Sequence, residues 1–218
     1  MQIKGLKNRS KALLVHTYRK IISASILNLY YFLSSYVHIL SKKMKESKSK
    51  LILPIIVISQ FCCTSLWFAG NGVINDLIIN FELEANSLGH LTSAVQFGFI
   101  IGTLLFAVLA IADRFSPSKV FFISAVFGSL FNLGIIWEGN SLTSLLILRF
   151  LTGFFLAGIY PVGMKIASDY YEKGLGKSLG FLVGALVLGT AFPHLLKDIT
   201  NTYPWKSVLI VTSSLGVF

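Results

Sequence analysis

The chain reads as an all-α membrane protein, a bundle of six helices with the sixth cut short. Three observations carry that expectation. Of 218 residues, 54% are hydrophobic and only 13% charged, where a soluble domain carries about 25% charge. The mean hydropathy is +0.73. After residue 50, apolar runs recur between short polar loops, most of them near the roughly 20 residues that a helix needs to cross a hydrocarbon core.

Residues 1–50 form a basic N-terminal extension. Within it, Ile21 to Ser41 carries no formal charge but is interrupted by Ser, Asn, Tyr and His, with Arg19 and Lys20 before it and Lys42 and Lys43 after it. A crossing would leave one basic cluster on the wrong side, so an interfacial helix is the first reading and an extra span the second. A secretion signal fits poorly, because the segment is too polar and no Ala-x-Ala site follows.

Residues 51–218 are expected to form the six-helix unit, with segments at about 51–76, 91–112, 119–137, 142–165, 176–196 and 205–218. The first five reach or approach spanning length. The sixth, WKSVLIVTSSLGVF, has 14 residues and no polar cap, and would cover only about 21 Å of a roughly 30 Å core.

In a water-soluble protein a net charge of +10 would suggest nucleic acid. Here the cations lie between apolar runs, so they report topology and no nucleic-acid partner is expected. Lys42, Lys43, Lys45, Lys48 and Lys50 precede the first segment, Arg114 and Lys119 follow the second, and Lys165, Lys173 and Lys177 follow or close the fourth. The opposite loops hold only Lys197 and Lys206. The residue-50 end and the 113–119 loop are therefore expected in the cytoplasm.

Polar residues inside the spans are the candidate functional groups. Arg149 stands alone in LRFLTGFFLAGIYPVG, about seven residues and roughly 10 Å into its helix. It reads either as a cavity-lining cation for an anionic or proton-coupled solute, or as a buried arginine satisfying carbonyls and hydroxyls of neighbouring spans; snorkelling to the interface is a third option. Tyr160 follows on the same face. Trp67, Asn71 and Asn75 fall at i, i+4 and i+8 of the first span, with Gln60 deeper and Gln96 in the second span. These suit a water-filled path or interhelical hydrogen bonds. His194 after Pro193 reads as an interface or kink feature rather than a proton relay.

In AIADRFSPSKV, Asp113 can pair with Arg114, with Lys119 or with the start of a neighbouring helix, and Pro117 suits the first turn of the third span. Small residues repeat at Gly98 and Gly102, at Gly153 and Ala157, and at Gly180 and Gly184. Such pairs permit close helix packing in lipid. The adjacent Cys62 and Cys63 read as apolar fillers. No HExxH, GxSxG or Walker pattern is present, and no metal-ligand cysteine spacing, so no enzyme activity, metal or cofactor is expected.

The residues resemble the N-terminal half of a major facilitator superfamily transporter over about 51–218. Asp113, Arg114 and Lys119 resemble that family's loop signature, although Leu109 and Ser116 stand where glycines are usual and Pro117 and Ser118 where a basic residue is common. Arg149 and Gly153 resemble its fourth-span signature. SLWFAGNGV, LTSAVQFGFIIG and LGFLVGALVLGTAFPHLL resemble a bacterial subgroup of the same superfamily. The resemblance implies a multi-pass protein of a bacterial cytoplasmic membrane with a gating role for Asp113 and Arg114. It also implies a small-molecule or ion substrate, protons as coupling ion, and a second six-helix half, or a second copy, as partner. The competing expectation is a non-transporting membrane module, or a degraded gene product that associates with a partner.

Overall fold

The computed structural model describes residues 51–84, 86–171, 174–199 and 204–217, with Ser35 alone before them; apart from that residue, the expected extension 1–50 lies outside the described residues. No strand occurs among the described residues. The helices are α1 (Leu51–Gly72), α2 (Ile74–Asn80), α3 (Ser87–Val108), α4 (Ile111–Arg114), α5 (Pro117–Gly134), α6 (Leu142–Leu156), α7 (Tyr160–Tyr170), α8 (Leu175–Ile199) and α9 (Lys206–Val217).

All six apolar segments are helical, but three of them are interrupted. A turn at Val73 separates α1 from α2. Ala110 adopts a left-handed φ of 50°, which ends α3 four residues before the expected boundary and leaves Ile111–Arg114 as a separate turn. The fourth segment breaks at Ala157–Ile159, just before Pro161 in the first turn of α7. Proline has no N–H to offer the preceding turn and clashes with it, so a continuous helix cannot run through that position without strain.

Among the described residues, four stretches are long and apolar enough to cross a membrane: Leu51–Gly72, Ser87–Val108, Leu142–Tyr170 and Leu175–Ile199. The segments of α5 and α9 are not among these four. α5 opens on Pro117, Ser118 and Lys119 and carries Asn132, while α9 has 12 residues. Two starts follow local rules. Pro117 sits in the first turn of α5, and Ser141 caps α6 reciprocally with Ser144, satisfying N–H groups that a helix start leaves free.

α1 is the hub. Leu66 is fully buried, and α1 meets α6 at Gly70, α8 at Gly189 and Gly72, and α9 at Gly216. Three apolar layers follow one another along it. Ile56 packs with Val162, Ile166 and Leu182, Cys63 and Leu66 with Ala125, Leu156 and Ile159, and Ala69, Val73 and Leu77 with Leu91, Leu145 and Leu209. Large apolar side chains such as Ile58, Ile100, Leu104, Phe122 and Leu188 are exposed, as the lipid-facing side of a membrane bundle requires.

α3 and α6 cross at backbone contact. A Cβ on Gly98 would collide with the Phe150 carbonyl, and one on Gly153 with the Val95 carbonyl. At Gly102 it would stand 2.5 Å from the Phe154 oxygen and 2.8 Å from the Ala157 Cβ. Gly180 and Gly184 differ: a Cβ on either would meet no other side chain or neighbouring helix within 4 Å. The close approach of α8 falls instead at Gly189, 2.7 Å from the Phe61 carbonyl. Spacing alone marks where two backbones can meet, and the neighbouring helix decides whether they do.

Candidate functional site

Arg149 lies under the α3–α6 crossing and is 1% exposed. Its Nη2 donates to the Trp67 carbonyl at 2.9 Å and to Asn71 Oδ1 at 2.6 Å. The guanidinium rests on the backbone of Gly70, where a Cβ would stand 2.9 Å from Nη1. Any larger residue at position 70 would push the cation away. Asn71 Nδ2 donates in turn to Thr92 Oγ1 at 3.3 Å, so one chain of polar contacts ties α6 to α1 and α1 to α3.

A hydrogen bond to a charged donor contributes about 1.5–3 kcal/mol, which offsets part of the cost of taking the cation out of water. Nε and Nη1 remain without an acceptor among the described residues. The geometry thus contains the structural role expected for Arg149, bonding to a neighbouring span, and leaves two further donors for another group. The head group is 1% exposed and bonded to Trp67 and Asn71 in the last two turns of α1, so it is held inside the bundle rather than at its surface.

One turn deeper, Gln60, Thr64, Trp67, Phe99 and Tyr160 line a cavity of about 30 Å³, room for roughly one water molecule. The Trp67 and Phe99 rings stand 4.6 Å apart. Gln60 is buried and donates from Nε2 to Thr64 Oγ1 at 3.0 Å. Gln60, Trp67, Asn71, Tyr160 and Arg149 therefore share one interior region.

Two expected members fall outside it. Asn75 is exposed, because the turn at Val73 breaks the helical phase that would have stacked it on Asn71. Gln96 is exposed as well, one position round from the buried Val95 and so off the α3–α6 seam. Thr92 and Phe99 take the α3 positions instead. Neither is distinguishable in the sequence from other residues of that helix, since the signal is their neighbour on α1.

At one end of the bundle, Asp113 pairs with Lys165 of α7 at 3.0 Å, and Lys165 reaches Asp169 at 3.5 Å. Arg114 and Lys119, the partners considered from the loop alone, are exposed and make no ion pair among the described residues. A left-handed Ala110 and a one-turn α4 carry Asp113 across towards α7, which loop spacing does not reveal. Asp113 and Lys165 border a cavity of about 160 Å³ that reaches Thr103 on α3 and Ala157 and Pro161 at the break in the fourth segment. The ion pair and the helix break therefore share one pocket.

The other end carries the two cations that depart from the charge bias, and both are paired. Lys197 meets Asp76 at 2.8 Å and Lys206 meets Glu138 at 2.7 Å. The Lys206 hydrogen bond holds the exposed Glu138 carboxyl below its ordinary value. Among the described residues no group of side chains is arranged to hold a metal.

Residues 56–218 match the model of the Major Facilitator Superfamily. The niacin transporter NiaP of Acinetobacter baylyi is 29% identical over 160 residues, covering 63% of this chain and 36% of that protein. The efflux pump FUBT of Fusarium oxysporum is 30% identical over 142 residues, covering 62% of this chain and 23% of that protein. The chain thus spans about a third or less of the length of these relatives.

Proposed function

The chain belongs to the major facilitator superfamily, and on that premise we propose that it forms one wall of a secondary active transporter for a small solute, coupled to protons. It is a multi-pass membrane protein. The observation that carries the proposal is Arg149, a cation 1% exposed in the interior of an apolar helix, bonded to Asn71 and still offering Nε and Nη1. Intramembrane charges of this kind mark solute or proton paths. A carboxylate is the group a planar guanidinium fork suits best, and Trp67, Phe99 and Tyr160 nearby offer aromatic faces. A small aromatic carboxylate is therefore the first substrate class to try. The niacin transporter among the relatives gives the first compound.

Alternating access in this family's architecture rocks one bundle against another around a site between them. We propose that the Asp113–Lys165 pair latches the end that faces the cytoplasm, where Arg114, Lys119 and Lys177 also lie, and that a second bundle supplies the other wall. That bundle is either further residues or a second copy. The non-transporting membrane module stays as the competing reading.

Proteoliposomes carrying the 218-residue chain, with an imposed proton gradient and labelled niacin, test both. The chain by itself is expected not to accumulate niacin, and a form joined to a second bundle is expected to do so. Arg149→Lys and Arg149→Leu should abolish that accumulation. Accumulation by the two-bundle form that survives both substitutions would return Arg149 to a purely structural role, and none under any condition would favour the non-transporting module.

A further inference from the structure

We propose that the groove between α4 and α5 is a binding site for an anionic glycerophospholipid, with an acyl chain in the groove and the phosphate between Arg114 and Lys119. The site stands on the membrane location alone and is independent of the solute. The groove has a volume of about 490 Å³ and runs from Arg114, Phe115 and Lys119 at its rim to Ile123 and Phe155 at its floor. Ile123 lies four residues beyond Lys119, which places the floor roughly 6 Å deeper along α5. The groove is therefore apolar within and cationic where lipid headgroups lie.

Charge accounting separates these two cations from three of the other lysines. Lys165, Lys197 and Lys206 each meet a carboxylate within 3.0 Å. Lys165 takes Asp113, the acid next to Arg114 in sequence, and so leaves Arg114 without a counter-charge. Lys119 has none either among the described residues. Two unneutralised cations then face one apolar groove, at the start of an 18-residue helix whose dipole also favours a negative group there. Apolar grooves on any membrane protein fill with lipid tails. This one also selects a headgroup, because basic pockets between membrane helices attract anionic lipid at about a factor of five per cation.

Exposed apolar side chains mark the route of entry. Phe115 is 62% and Ile123 52% exposed, so the groove opens sideways into lipid and a chain can enter without passing through the bundle.

The test uses the full chain in mixed micelles and reads the retention of spin-labelled phosphatidylglycerol against spin-labelled phosphatidylcholine at about 0.1 M salt. The expected result is a preference for phosphatidylglycerol of about 25-fold, given two cations. The double variant Arg114→Gln with Lys119→Gln should bring the preference close to one. Lys177→Gln, an exposed cation away from the groove, should leave it unchanged. Ile123→Trp fills the floor without changing charge and should also lower the preference. Equal retention of the two lipids by the unsubstituted chain would overturn the proposal. A loss with Lys177→Gln as large as with the double variant would do the same, since it would mean a diffuse surface potential. So would a preference that Ile123→Trp leaves intact. If the double variant is not recovered folded, Ile123→Trp and Lys177→Gln still decide the matter.

Discussion

The glycine pair on α3 and the glycine pair on α8 have the same four-residue spacing and opposite surroundings. Gly98 and Gly102 lie against the backbone of α6, closer than any Cβ would allow. Gly180 and Gly184 face open space beside Val57, Ile58 and Phe61. In lipid no hydrophobic force draws helices together, so close packing and polar contacts must do it. The α3–α6 crossing has both, since the backbone contact at Gly98 and Gly153 lies beside the polar chain from Arg149 to Asn71 and Thr92. The open face of α8 has neither. A small-residue pair therefore becomes a packing seam only where a partner helix brings its own small residue and a polar tie.

Breaking the seam should give the largest effect. Gly98→Leu or Gly153→Leu places side-chain atoms inside a neighbouring carbonyl, and overpacking of this kind costs about 3 kcal/mol. The expected outcome in fluorescence-detected size exclusion is loss of the monodisperse peak. A peak as stable to heating as the unsubstituted chain would show that the two helices do not cross at these glycines.

Removing the polar tie while keeping the packing should act on transport more than on folding. Arg149→Leu takes away a costly buried charge together with its two bonds to α1, and such exchanges are often neutral or stabilising. The melting temperature of the purified protein is expected to fall far less than for the glycine variants. A drop as large as theirs would mean that the tie, rather than the backbone contact, holds the seam.

The Asp113–Lys165 pair joins α4, which follows α3, to α7, which follows α6, and should contribute less still to stability. Its side chains are 68% and 32% exposed, and exposed pairs are worth about 0–1 kcal/mol. Asp113→Asn is therefore expected to lower transport several-fold at unchanged melting temperature in a two-bundle form. Asp113→Lys combined with Lys165→Asp should recover part of it. Failure of the exchange to recover any activity, at equal expression, would place the role of Asp113 elsewhere than in this pair.

The smallest effect belongs to the open face. A Cβ added at Gly184 would meet nothing within 4 Å, so Gly184→Ala should change stability by less than about 0.5 kcal/mol, as an uncrowded substitution does. A large loss on heating would reveal a partner for that face and make the two glycine pairs alike after all.

The candidate site was partly legible in the sequence. A lone arginine in an apolar helix is conspicuous because burying it is costly, and Asn71 and Trp67 stood out for the same reason on α1. Asn75 and Gln96 were conspicuous on identical grounds and yet lie outside the interior region, because polarity marks a residue without saying which way its helix is turned. Gly70, Thr92 and Phe99 gave no signal, since each matters only for what it faces. Lys165 was visible only as one of many cations near a loop.

Hydropathy, the charge bias of the loops and the prolines at helix starts act within one or two turns of chain, so the sequence alone determined that the protein is helical, apolar and multi-pass, and roughly where each segment begins. Which glycines touch, which acid Lys165 takes and where the apolar segments break depend on residues far apart in the chain. Asp113 and Lys165 are brought together by the left-handed Ala110 and by the placement of α7, and Arg149 and Asn71 by the crossing of α6 with α1. Only the tertiary structure decided those, because contact energies fall off within a few ångströms and depend on distance in space rather than along the sequence.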